Sequence, residues 1–185
     1  MRSAILAFAP VVLSVSLSAQ GVFSNNTQVI LEKVIRDYPN HFHNIKGELI
    51  GQALQSARYK STLLLPGATS STVTLATTSG SEGLDWSCII LQTADFGTAS
   101  ARFAEIYNQL SNSIITTTEQ KTFILNGQYD PPSADKKYTE VRFSLLPGVG
   151  EMKRLHVALS LNEQEKGWVV GINVTDQESR EIARY

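Results

Sequence analysis

Apolar residues recur along this chain with two distinct periods. Leu31, Val34, Ile35 and Tyr38 stand three and four apart, the spacing of one face of an α-helix. They predict a helix over Thr27–Tyr38, capped by Asn25 or Asn26 and stopped by Pro39-Asn40. A second helix is expected over Thr98–Ser113. Its stripe is Phe103, Ile106 and Leu110, with Ile114 as a possible extension and Asp95 or Thr98 near its start.

Elsewhere the period is two. Thr139, Val141, Phe143 and Leu145 share one face of a strand, and Leu155, Val157, Leu159 and Leu161 share one face of the next. A hairpin centred on Val149 sets Phe143 against Leu155, Val141 against Val157 and Arg142 against His156. A turn between Gln164 and Glu165 sets Leu161 against Trp168, Leu159 against Val170 and Val157 against Ile172. The apolar faces then coincide, as a half-buried antiparallel sheet requires. Earlier in the chain, a turn centred on Thr69 pairs Leu65 with Val73 and Leu63 with Leu75. A turn between Gly80 and Ser81 pairs Leu75 with Trp86 and Val73 with Cys88. Ile45–Gln52 and Lys121–Gly127 are candidates for further strands, although Ile50, Leu54 and Ala57 also suit a short helix.

The two sets resemble each other. Leu64-Leu65-Pro66-Gly67 recurs as Leu145-Leu146-Pro147-Gly148, and Trp86 and Trp168 follow at a similar offset. Leu31, Val34 and Tyr38 match Phe103, Ile106 and Leu110. The turn-rich loop Gly127–Asp135 accounts for about nine extra residues in the second set. A period near 80 is too long for a solenoid unit and suits a duplicated half-domain. The expected fold is α+β: a helix followed by a three- or four-stranded antiparallel meander, twice. The strands would form one curved antiparallel sheet with two helices on one face. The halves would span about 25–95 and 96–176 within a single domain, 20–185, ending in a short C-terminal tail.

Residues 1–19 stand apart. Arg2 precedes an apolar run that ends in small residues at Ser16-Leu17-Ser18-Ala19. This is the layout of a cleaved secretory signal peptide, and the run is short for a membrane span. The mature chain is expected to be secreted or periplasmic, with no membrane span. Without those residues, about 166 remain, roughly 39% hydrophobic, still within the globular range. Asn25-Asn26-Thr27 and Asn173-Val174-Thr175 fit the glycosylation pattern, which matters only in a eukaryotic secretory route.

Composition then narrows the function. The net charge of -1 and the scattered basic residues argue against a nucleic-acid binder. One cysteine leaves no disulfide framework and no multi-cysteine zinc site. Cys88 falls on the core face beside Val73, where a thiol acts as a small hydrophobe. Trp86 and Trp168 read as equivalent core residues. His41 and His43, spaced by Phe42, would share a side of an extended segment, but two ligands are too few for zinc.

The outward sheet face collects Lys60, Thr62, Thr72, Thr74, Glu140, Arg142, Ser144, Arg154, His156 and Ser160. Arg142, Arg154 and His156 are the candidate binding residues of that face, able to receive an anion. No cofactor is expected. The sequence lacks Gly-x-Ser-x-Gly, His-Glu-x-x-His, a phosphate-binding glycine loop and Cys-x-x-Cys. The expectation is an exported, non-enzymatic binding or protein-interaction module. Two alternatives stand beside it. One is a carrier of a small apolar ligand between helices and sheet. The other is a hydrolase using His156 or His41 with Glu140 or Asp37.

Overall fold

The computed structural model describes residues 26–78 and 81–176. The expected signal peptide, the Asn25 cap and the C-terminal tail lie outside the described residues. The described residues form an α+β fold, with two α-helices and one antiparallel sheet of nine strands. Helix α1 spans Asn26–Asp37 and passes directly into a 3-10 turn, Tyr38–Asn40. Four strands follow: β1 (Lys46–Ala53), β2 (Ser56–Ser61), β3 (Ser70–Thr78) and β4 (Ser81–Thr93). Helix α2 spans Phe96–Leu110. Five strands complete the sheet: β5 (Ile114–Thr116), β6 (Thr122–Asn126), β7 (Tyr138–Leu146), β8 (Leu155–Gln164) and β9 (Gly167–Asp176). A second 3-10 turn, Gly150–Lys153, joins β7 to β8.

Both helices form on the stripes that predict them. Leu31, Val34, Ile35 and Tyr38 are buried, as are Phe103, Ile106 and Leu110. Asp95 caps α2 by accepting the Thr98 amide at 2.7 Å, which satisfies one of the helix's free N-terminal donors. Ile114 does not extend α2. It opens β5 and is exposed.

The strand order is β1-β2-β3-β4-β9-β8-β7-β6-β5. Thus β4 and β9 meet at the centre, while β1 and β5 form the two edges. Helix α2 packs on β4, β8 and β9, and α1 packs on α2 and β5. The centre is built from alternating buried residues: Leu84, Trp86, Cys88 and Ile90 on β4; Leu155, Val157, Leu159 and Leu161 on β8; Val170, Ile172 and Val174 on β9.

The registers differ from those expected. Phe143 faces Val157 and Val141 faces Leu159, because the 3-10 turn takes up the residues that a tight turn on Val149 would have paired. Leu161 faces Val170 rather than Trp168. Val73 faces Trp86, not Cys88, and Leu75 faces Leu84. Each of these shifts is two residues. Side chains alternate with period two, so the apolar faces still meet. The β2–β3 pair departs further: Tyr59, not Leu65, lies against Val73. The apolar run Leu63–Leu65 belongs to the connection after β2, where Leu65 turns inward and Leu64 stays exposed.

The tryptophans also separate. Trp86 sits in the middle of β4 and donates from Nε1 to Ser61 Oγ at 3.0 Å. Trp168 is the second residue of β9, edge-on to Phe96. They share burial but not a level in the sheet. Before Trp168, Gly167 has φ +108°, and a Cβ there would come within 2.9 Å of Ala94 Cα. Only glycine suits that turn.

Candidate functional site

The three residues of the candidate anion face are not paired in the expected register. Arg142 projects from β7 beside Ala158 and pairs with Glu140. His156 lies against Ser144 and Thr175 rather than against Arg142. Its Nδ1 and the Thr175 Oγ1 are buried without a hydrogen-bond partner. Arg154 is not on the sheet at all. It follows the 3-10 turn, one residue before β8, and reaches the carboxylate that ends β9.

That carboxylate, Asp176, is the floor of a cleft. On β9 the inward positions run Val170, Ile172, Val174 and then Asp176, so strand alternation delivers an acidic side chain to the apolar side. It is 5% exposed. Burying a carboxylate is costly unless it is paired and hydrogen-bonded. Here Tyr38 donates its hydroxyl to Oδ2 at 2.5 Å, and Arg154 Nη2 lies 3.1 Å from the same oxygen. Arg154 also donates from Nε and Nη2 to Oδ1 at 3.3 and 3.2 Å. Three segments far apart in sequence therefore meet at one charge: the exit of α1, the start of β8 and the end of β9. Burial pushes the Tyr38 hydroxyl well above its ordinary range. The bond to Asp176 and that residue's negative charge push the same way.

The cleft above this group is about 250 Å³ and is lined by Tyr38, Pro39, His41, Leu84, Glu151, Arg154 and Asp176. A second cleft of about 560 Å³ shares Pro39 and Glu151 with it. It runs between the α1 exit, the Thr117–Lys121 turn and the Val149–Met152 segment.

Asp37 fixes one wall. Its carboxylate accepts the amides of Asn44 and Ile45 at 3.0 and 3.2 Å and the Asn44 side chain at 2.6 Å. It holds the loop in which His41 and Phe42 take left-handed backbone angles and Phe42 is buried. Asp37 is thus engaged in holding that loop. Glu140 is likewise engaged with Arg142 and Tyr138. Among the described residues no group of three or more His, Cys, Asp or Glu side chains forms a metal site.

Two other expectations resolve here. Cys88 is buried on the core side of β4, facing Ser71 and Ile172 rather than Val73. Burial raises its thiol above the usual range, despite a backbone hydrogen bond with Leu65 that acts the other way. The loop from Gly127 onward is tied to α2: Tyr107 donates to the Gly127 carbonyl at 3.1 Å and its ring lies tilted against that of Tyr129, centroids 4.6 Å apart.

A third cavity, about 620 Å³, lies by the β1 edge and is lined in part by Ile50, Lys60, Thr62, Leu64 and Thr72. Leu49 and Ile50 are about half exposed, and Leu54 at the hairpin tip is fully so.

No protein-family model, no curated protein and no solved structure matches this chain. Among the described residues, no helix is long and apolar enough to cross a membrane.

Proposed function

We propose that the chain is an exported, non-enzymatic binding module whose ligand seats in the double cleft beside Tyr38, Arg154 and Asp176. The carrying observation is the convergence of these three side chains, from three separate segments, on one buried charge at a cleft floor. A concave site with a few fixed polar groups is the usual form of a small-ligand site. Export rests on the signal-like residues 1–19. In this reading the halves are related by duplication, and both helices cover one face of a curved sheet.

Binding is favoured over hydrolysis by the state of the polar groups. The Tyr38 hydroxyl is held protonated, and the Asp176 carboxylate is engaged by two donors. General acid–base work needs a group poised to exchange its proton near the working pH. The ion-paired walls also suit a polar ligand better than a wholly apolar one.

A heteronuclear NMR screen with small polar metabolites tests this reading. Binders should shift resonances of Tyr38, Glu151 and Arg154. A library that leaves the cleft unperturbed overturns it.

A protein partner is the second reading, favoured by Leu49, Ile50, Leu54 and Leu64 exposed around the β1 edge. An open edge can accept another chain's strand. Cross-linking from cysteines placed on β1 would capture that partner in the envelope or secreted fraction. Labels confined to the protein itself would dismiss it.

A further inference from the structure

The charges lining the two clefts do not balance. Besides His41, three cations, Arg36, Lys121 and Arg154, line them together with four carboxylates, Asp37, Glu119, Glu151 and Asp176. Six of these seven have partners. Arg36 pairs with Glu32, Lys121 with Glu119 at 2.6 Å, and Arg154 with Asp176, while Asp37 is capped by amides. Glu151 stands alone: among the described residues no hydrogen bond or ion pair reaches its carboxylate. It is also one of the two residues common to both clefts, so the unbalanced negative charge sits where they join.

Around it the larger cleft offers apolar surface from Val149, Met152 and Phe123. Val149 is half exposed, while Met152 and Phe123 back the wall from the core.

Resting on the cleft reading above, we infer that the ligand is a small organic ammonium ion, its charged nitrogen on Glu151 and its carbon chain against Val149 and Met152. An ammonium is favoured over an anion because the charged side chain left without a hydrogen-bond or ion-pair partner is a carboxylate, and attraction within a concave wall is screened less than on open surface. An extended chain is favoured because the larger cleft, which Glu151 helps to line, is also lined by Val149, Met152 and Phe123.

The test is NMR titration of the purified protein with n-pentylamine, 1,5-diaminopentane and, as the opposite charge, hexanoate. The amines should saturate shifts at Glu151, Val149 and Met152 with a Kd of about 1 mM or tighter, an affinity suited to a ligand of few atoms. Hexanoate should not. Glu151→Gln should weaken the amines about tenfold or more. Glu151 is exposed, so its thermal midpoint should be unchanged, and raising the salt should weaken wild-type binding. Amine binding that survives Glu151→Gln overturns the inference, as does equal binding of hexanoate. If the amines are silent but another compound shifts Tyr38 and Arg154, the cation is wrong and the cleft stands. If every probe leaves the cleft silent, both readings fall.

Discussion

Strand β8 in the interior of the sheet and strand β1 at its edge live in different surroundings. In β8, five of the first seven residues are buried, and α2 lies across the strand. In β1, every residue after Lys46 is exposed, and its pairing with β2 is interrupted twice by irregular register. A strand's stability therefore follows from what covers it, more than from its own residues. The centre fixes the fold. The β1–β2 hairpin is an appendage, free to carry Leu54 fully exposed at its tip.

The largest test of that contrast is Trp86→Ala. Trp86 is fully buried and should cost about 3–5 kcal/mol by loss of packing and creation of a cavity, whereas Leu54→Ala should stay within about 0.5 kcal/mol. Chemical denaturation of both variants measures the gap, and similar losses would erase the distinction. Next comes Gly167→Ala at the centre of the sheet, expected to cost more than about 1 kcal/mol. Its positive φ disfavours any side chain, and the added Cβ meets the backbone of the β4–α2 connection. Gly51→Ala on β1 meets only a side-chain carbon at 3.9 Å and should be nearly neutral by the same assay.

A third test uses base. Tyr38 holds its proton more tightly folded than unfolded. Native protein thus binds more protons than unfolded protein once pH passes the ordinary tyrosine value of about 10. Stability from this group is complete below that pH and is lost as pH rises through the folded value. Tyr38→Phe should flatten that alkaline fall in thermal midpoint. An unchanged slope would detach Tyr38 from Asp176.

The smallest effect lies at the α2 cap. Hydrogen bonds from the Thr98 side chain and amide hold the Asp95 carboxyl below its ordinary range. Its contribution is present above the unfolded carboxyl value and fades as pH falls through the folded one. Asp95→Asn should remove that acid-side dependence with little change at neutral pH, as followed by circular dichroism.

The helices and the buried faces of the central strands were legible because periodicity reports burial directly. Registers were not, because they depend on how many residues each turn consumes. The 3-10 turn before β8 and the long connection after β2 leave no such count in an apolar pattern. Leu63–Leu65 reads as strand by composition, yet it lies in a connection where Leu65 is buried, Leu63 packs partly against the core and Leu64 stays exposed.

The cleft was harder still. Tyr38 reads as the last member of a helical stripe, and Arg154 as a binding residue of the outward sheet face rather than as a partner of Asp176. The available signal was Asp176. It follows Val170, Ile172 and Val174 in phase, and an acid in a core phase calls for a partner. Nothing local names Tyr38, 138 positions earlier, as that partner.

The position of β9 has a consequence for how the molecule is made. This strand, the last in chain order among the described residues, lies between β4 and β8. Its partners on β4 are 90 residues back at Asp85↔Thr175 and 75 back at Thr93↔Trp168. During synthesis the elements before it can collapse locally, but the middle of the sheet stays open until β9 emerges. Such long-range closure is slow. A nascent chain of this design cannot lock the middle of its sheet before β9 has been made.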